Sequence, residues 1–366
     1  MAPRFFLFTI AAAVMLAVLS AGGQSGVPAV KITMGPALEI GRADPLFASV
    51  PSVCEDEAGH FYVLDRVEYK VHKFAPNGRP VLSFGRKGQG PGDLAAPASV
   101  VLTPTGELAV LEDLGFVSFF GTDGAFRRRL DLNGRLGLGY VGPDRFYGWI
   151  WRPEDRQQVL VDAKNTTVAT FDVQPRDAFS VTMPDETGRS VMFNYASDIY
   201  VPEFLFDHNG SLSAVGISDR YRLALLDEEG RAVGTLSRDL GPRKISARER
   251  GFLEQGLAEF VKSKGWPARV GRELAKKIPS MKNTIRAVRI SPSRVFVFRF
   301  ADDISRGDAP VPVDVFTRRG EFVGTAELAE VPLFTGGKGM YFVRADDSGN
   351  VFLARREYTV SSAPAR

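Results

Sequence analysis

The chain has 366 residues, of which 44% are hydrophobic and 24% charged, and its formal net charge is +3. This composition is typical of a globular protein and excludes a disordered chain or a multi-span membrane protein. A net charge this small gives no sign of a nucleic-acid partner. The length allows either two ordinary domains or one large all-β ring.

Residues 1–23 predict a secretory signal peptide. A single early cation, Arg4, precedes the apolar run Phe5–Leu19, and the small residues Ser20–Gly23 follow it. The run is shorter than the roughly 20 residues needed to span a bilayer, so we expect cleavage and no transmembrane segment in the mature chain, residues 24–366. That chain is expected to be periplasmic or secreted.

A turn followed by a β-rich stretch recurs six times along the chain. The turns are Asp56–Gly59, Pro104–Gly106, Gly142–Asp144, Asp207–Gly210, Ser291–Ser293 and Asp346–Gly349. Further strands and a second glycine turn follow, so each unit holds four short strands at a spacing of roughly 40 to 50 residues. This pattern predicts an all-β fold, a six-bladed β-propeller over residues 24–366.

The termini are expected to close the ring together. A four-stranded unit cannot bury both of its apolar faces alone, so the units must stack on one another. The last unit supplies about three strands before Arg366, and we expect Val30–Gly41 to supply its missing outer strand. The single cysteine, Cys54, cannot form an intrachain disulfide and is predicted to be a buried apolar residue.

The segment Phe84–Asp93, with the sequence FGRKGQGPGD, leads to Pro97 and an apolar strand. It resembles the inter-blade linker of NHL-repeat propellers, in the divergent exported form common in bacteria. The motif is specific in this first linker, and the later linkers lack it. The resemblance implies a six-bladed propeller of a type that often serves as an interaction platform.

Two segments do not fit the blades. Residues 175–197 predict an extra surface hairpin or loop. A helical insertion is predicted at about 245–280, between blades four and five, because Ser246 and Glu249 form a capping box and an apolar helical stripe follows. Its basic residues would form a lid, a docking site for an anionic partner or a solvated helix face on the propeller rim; they are Lys262, Lys264, Arg269, Arg272, Lys276 and Lys277.

The loops after the second strands of a propeller gather around one mouth of the central channel, which makes that face the default binding site. Opposite charges and one aromatic side chain are predicted there, and they suit a polar ligand, a glycan or a peptide, although solvated turns have the same composition. The candidates are Asp65, Arg66, Glu112, Asp113, Trp151, Arg152, Asp219, Arg220, Asp302, Asp303, Arg355 and Arg356.

Motifs for common chemistry are not evident. The three histidines have no metal-ligand spacing, and no Gly-x-Ser-x-Gly nucleophile motif occurs. Pro91 lies between the glycines at 90 and 92, and it removes a backbone N–H donor that a phosphate-binding loop at glycines 88, 90 and 92 would need. We therefore predict no cofactor and assign no metal ligands, while the acidic turn 346–350 leaves calcium possible.

These observations favour an exported binding module, rather than an enzyme, that recognises a peptide, protein or carbohydrate on the channel-mouth face. The alternative is a propeller-type hydrolase or lyase with a divalent cation held in the central channel by Asp65, Asp113 and Asp302. A third interpretation is a sensor or structural part of a larger envelope assembly that makes contact through the basic helices. The sequence leaves the ligand and the oligomeric state open.

Overall fold

A computed structural model of the chain describes residues 27–42, 47–113, 115–132, 135–151, 156–171, 180–184, 188–194, 204–306 and 309–362. The predicted signal peptide lies outside these residues. No helix among them is both long and apolar enough to cross a bilayer.

The described residues form six antiparallel sheets of four strands, each of which is one blade. The first described strand, β1 (Val30–Ile40), belongs to blade six. Blades one and two are β2 (Ser52–Glu55), β3 (Phe61–Asp65), β4 (Lys70–Phe74) and β5 (Pro80–Phe84), then β6 (Pro97–Leu102), β7 (Leu108–Glu112), β8 (Phe116–Phe120) and β9 (Phe126–Asp131). Blade three is β10 (Arg135–Gly142), β11 (Arg145–Trp151), β12 (Arg156–Asp162) and β13 (Thr167–Phe171).

An extra hairpin, β14 (Ser180–Pro184) and β15 (Ser190–Asn194), precedes blade four. Blade four is β16 (Phe204–Asn209), β17 (Leu212–Ile217), β18 (Arg222–Leu226) and β19 (Ala232–Ser237). The helical insertion follows as β20 (Arg243–Lys244), α1 (Ala247–Ser263), α2 (Ala268–Lys276) and β21 (Met281–Lys282). Blade five is β22 (Ile285–Ile290), β23 (Arg294–Arg299), β24 (Val311–Thr317) and β25 (Phe322–Leu328), and blade six is β26 (Phe334–Thr335), β27 (Met340–Ala345), β28 (Val351–Ser362) and β1.

Alternation along the second strands explains why the blades stack. Phe61 and Val63 of β3 pack in one apolar cluster with Tyr341 of blade six. The intervening Tyr62 and Leu64 pack in another cluster with blade two. Because successive side chains of a strand point to opposite faces, one strand joins two neighbouring blades, and all five residues of β3 are buried.

The ring is closed. The first strand of each blade contacts the first strand of the next, in the order β2, β6, β10, β16, β22 and β26, and β26 contacts β2 again. Strand β1 pairs with β28 from Val30 to Ile40 and completes blade six. The predicted six-bladed propeller and its closure by both termini are confirmed, and Cys54 is buried as expected.

The two insertions pack on each other. Leu253 and Leu257 of α1 and Leu274 of α2 share an apolar cluster with Phe193 of the extra hairpin. Helix α1 begins with the predicted capping box, in which Ser246 Oγ accepts a hydrogen bond from the Glu249 N–H. We call this assembly, which consists of the β14–β15 hairpin and the segment from β20 through α1 and α2 to β21, the cap. Each of its two parts connects the fourth strand of one blade to the first strand of the next. The cap therefore lies at the end of the channel where the first strands begin.

Candidate functional site

Asp65 and Glu112 end β3 and β7, and both are fully buried. Asp65 Oδ2 accepts a hydrogen bond from the Ala48 N–H at 2.6 Å, and its other oxygen accepts two from the following turn. Glu112 accepts from the Ala95 N–H at 2.6 Å and pairs with Arg129 at 3.0 Å. Each carboxylate therefore fixes the linker that enters the first strand of its own blade.

Other predicted residues pair on the surface. Arg66 Nη2 and Asp113 Oδ2 lie 2.5 Å apart and link blades one and two, and their side chains are 49% and 40% exposed. Asp219 lies 3.9 Å from its chain neighbour Arg220, so this pair is local. Within this face the structure brings together Arg66 and Asp113 from separate blades.

Asp302 and Asp303 follow β23 and contact the cap. Asp302 forms an ion pair with Arg243. Asp303 accepts hydrogen bonds from the N–H and the hydroxyl of Ser305 and lies 4.0 Å from Arg248 at the start of α1. Both aspartates thus join blade five to the insertion.

Arg355 and Arg356 do not lie on a loop after a second strand. The predicted sixth turn, Asp346–Gly349, joins β27 to β28, the second and third strands, and β28 continues to Ser362. Arg355 pairs in register with Tyr341, and Arg356 Nε donates to a backbone carbonyl of β1 at 2.8 Å. The expected position is wrong because an Asp-x-x-Gly turn suits any hairpin, whichever two strands it joins.

Two further expectations concern the same face. Trp151 is the last residue of β11, and its side chain and Arg152 lie outside the described residues. The three aspartates suggested for a divalent cation, Asp65, Asp113 and Asp302, bind backbone N–H groups, Arg66 and Arg243 respectively. They do not converge, and no group of three His, Cys, Asp or Glu side chains in the described part of the chain is arranged to hold a metal ion.

A cavity of about 1180 Å³ occupies the other end of the central channel. All six blades line it, mainly through their first strands and the turns that follow those strands. Its lining includes Glu55–Ala58, Thr103–Gly106, Tyr140, Asp207–Ser211, Arg289, Arg318 and Gly336–Lys338. Among its described lining residues none belongs to the cap or to a loop after a second strand. The cavity reaches Pro51 and Leu333 at the starts of β2 and β26, but most of its lining lies at the end opposite the face predicted from the sequence.

Blade one forms an acidic wall of this cavity, with Glu55, Asp56 and Glu57 at the end of β2. Glu55 accepts hydrogen bonds from the Tyr341 hydroxyl at 2.6 Å and from the Lys338 N–H at 2.8 Å. Burial raises the pKa of Glu55, and these two bonds oppose the rise. This wall can accept hydrogen bonds from hydroxyl or amine groups of a ligand.

Blade five supplies two arginines on the other side. Arg318 Nη1 donates to the Ser291 carbonyl at 2.7 Å, and Nη2 donates to the Asn209 carbonyl at 3.1 Å. Arg289 Nε donates to the Pro332 carbonyl at 2.9 Å. Burial lowers the pKa of both guanidinium groups. Neither arginine forms an ion pair with a carboxylate of the described residues.

Blade four places two titratable groups beside these arginines. Asp207 Oδ2 accepts a hydrogen bond from the Ile290 N–H at 2.6 Å. Burial raises the pKa of Asp207 to about 6, and the positive charge of Arg289 opposes this rise. His208 is 9% exposed, and its Nδ1 lies 3.0 Å from Ser213 Oγ. Burial, together with the charge of Arg318, lowers the pKa of His208 to about 3. Its Nε2 has no hydrogen-bond partner in the described residues.

Sequence reasoning missed this site, although part of its signal is visible. Asp56 and Asp207 were assigned to turns, and those turns do border the cavity. Arg289 interrupts the apolar strand β22, and a charged residue in an inner strand is a sign of the channel lining. Arg318 lies in a turn between β24 and β25, and only the folded ring brings it to Asn209 of another blade.

No family model matches the chain, and no curated protein matches it. Solved structures do match the chain. A Bacteroides fragilis protein provisionally named as exported matches with a TM-score of 0.52 at 12% identity, over 93% of this chain and 98% of the other. A member of the DUF4221 family from Bacteroides vulgatus matches with a TM-score of 0.51 at 12% identity, over 91% of this chain and 99% of the other.

The chain shares their propeller fold. At this identity the similarity extends to the fold and to no residue of the cavity. The evidence for what the cavity binds must therefore come from its own lining.

Proposed function

We propose that this chain is an exported binding module that holds a small polar ligand, an oligosaccharide or a short peptide, in the cavity at the end of the channel opposite the cap. The observation that carries the proposal is that all six blades contribute to one cavity on the ring axis. Because every blade contributes to its lining, the cavity forms only when the whole ring is closed.

Size and lining both support a small ligand. Binding pockets for small molecules commonly measure about 300–1,000 Å³, and this cavity is slightly larger. A folded protein could not enter it. The acidic wall on blade one and the two arginines of blade five would orient a ligand that has donors at one end and acceptors at the other.

The remaining support comes from the sequence. The linker Phe84–Asp93 resembles that of NHL-repeat propellers, which are often interaction platforms, and residues 1–23 have the pattern of a signal peptide. The proposed position of the ligand differs from the face predicted from the sequence, where Asp65 and Glu112 are occupied by backbone N–H groups.

The test is calorimetric titration of the mature chain with a panel of di- to tetrasaccharides and tri- to pentapeptides. Ala58 is exposed in a turn at the rim of the cavity, so Ala58→Trp should obstruct the entrance. We expect this variant to weaken any binding by at least about tenfold, equivalent to about 1.4 kcal/mol.

Ala247→Trp is the matched control because Ala247 is an exposed residue of the cap, at the other end of the channel. It should bind as the unaltered chain does. Binding that survives Ala58→Trp and is lost in Ala247→Trp would contradict the proposed site.

A further inference from the structure

The two sides of the cavity differ in how far their charges are satisfied. Three of the lining carboxylates have donors: Glu55 accepts from a hydroxyl and a backbone N–H, Asp56 from the His60 N–H at 2.8 Å, and Asp207 from the Ile290 N–H. The guanidinium groups of Arg289 and Arg318 donate hydrogen bonds to backbone carbonyls. Arg289 also lies within the electrostatic influence of the Asp207 carboxylate, whereas burial alone shifts the pKa of Arg318, so Arg318 is the cation without a counter-charge among the described residues. A half-buried cation without a counter-charge costs free energy that an anion would offset.

Arg318 retains donors for a ligand. A guanidinium group has five N–H bonds, and Ser291 and Asn209 engage one nitrogen each. The planar fork suits carboxylate, sulfate or phosphate groups, whose oxygens can accept two parallel hydrogen bonds.

His208 provides an independent observation at the same place. It lines the cavity, is 9% exposed, and has a buried Nε2 atom without a hydrogen-bond partner among the described residues. If the Ser213 hydroxyl donates to Nδ1, the neutral imidazole carries its proton on Nε2, and this donor lacks an acceptor. Buried donors are rarely left unpaired in native proteins, so a ligand oxygen is a fitting partner.

Resting on the proposed function, we infer that the ligand carries an oxyanion, in the form of a carboxylate, sulfate or phosphate group, which binds the wall formed by Arg289, Arg318 and His208. In a ring of six blades the first and fourth blades face each other across the axis. The oxyanion therefore lies near blades four and five, and the hydroxyl or amine groups of the ligand point to Glu55–Glu57 on blade one.

The experiment titrates the mature chain with sodium sulfate, sodium phosphate and sodium glucuronate, each against sodium chloride at equal ionic strength so that general screening cancels. We expect saturable binding of at least one of the three, and the strongest arm identifies the kind of oxyanion. Arg318→Gln should weaken that binding by about tenfold or more, as the loss of charge-assisted hydrogen bonds implies. Arg318→Lys keeps the charge and should retain more affinity than Arg318→Gln.

Arg128→Gln is the matched control, since Arg128 lies on the outer strand β9 and pairs with Glu107. It should bind the anion normally. If Arg318→Gln does not fold, anion binding by the unaltered chain is compared with that of Ala58→Trp and Arg318→Lys. Ala58→Trp obstructs the cavity without removing a cation, and Arg318→Lys keeps the charge.

Absence of binding to all three anions by the unaltered chain would overturn the inference, as would anion binding that Arg318→Gln and Ala58→Trp leave unchanged. The proposed function is judged separately. A neutral panel member that Ala58→Trp excludes would preserve the cavity as the binding site while removing the oxyanion from its ligand, whereas panel binding unaffected by Ala58→Trp would remove the cavity itself.

Discussion

Replacing Asp207 by asparagine should remove a pH-dependent loss of stability. Burial raises the pKa of Asp207 from 3.8 to about 6 in the folded protein. Between these two values the folded chain holds a proton that the unfolded chain releases, so stability falls as the pH rises through this window. A difference of about two pKa units corresponds to about 3 kcal/mol, since one unit is worth about 1.4 kcal/mol.

The loss should be complete by about pH 7 and absent below about pH 3. Asp207→Asn cannot ionise, and its amide oxygen can still accept the hydrogen bond from the Ile290 N–H. Relative to the unaltered chain, the variant should therefore gain about 3 kcal/mol between pH 3 and pH 7, whatever its absolute stability.

Urea denaturation at half-unit steps of pH measures this difference. Asp347→Asn is the control, because Asp347 is an exposed carboxylate in the turn before β28, and it should follow the unaltered chain at every pH. A stability difference between Asp207→Asn and the unaltered chain that stays constant from pH 4 to pH 7 would refute the reasoning.

Two other substitutions test the buried ion pairs. Glu112→Ala should lower the free energy of unfolding by about 3–5 kcal/mol because it leaves Arg129 without its buried partner, while Glu107→Ala, in a more exposed pair, should cost at most about 1 kcal/mol; equal losses in urea denaturation would contradict this. Lys282→Met strands Glu249, since these side chains are 1% and 3% exposed, and it should speed amide hydrogen exchange in α1 and α2 more than in the blades. Uniform exchange across the chain would show that the cap does not depend on this pair.

Much of the ring could be predicted from local sequence. The closing strand followed from a count of strands, since the last unit had too few and Val30–Gly41 remained unassigned. Helix α1 was marked by Ser246 and Glu249, which satisfy each other's backbone N–H groups whatever the tertiary context. Both predictions depended on interactions between residues near in sequence or on counting strands.

The errors arose where the same local chemistry serves different positions. The Asp346–Gly349 turn resembles the other turns, but blade six has a first strand of two residues, Phe334–Thr335, and a glycine-rich turn after it that the repeat pattern does not contain. Asp65 and Glu112 were expected to face a ligand, and only the folded structure shows that backbone N–H groups of the linkers use them. Strand-end carboxylates look alike in sequence in either role.

The cavity could not be predicted because its walls come from six separate blades. Arg318 reaches Asn209 across more than a hundred residues of chain. Which charges lack a partner is a property of that three-dimensional arrangement. The choice between the two ends of the channel therefore depends on the structure.

A crystal structure of the mature chain with the tightest-binding anion or panel ligand would test the central claim most directly. The account predicts the ligand in the cavity, with its acceptor oxygens near Arg318 and His208. A ligand bound at the opposite end, beside Arg66 and Asp113, would contradict it.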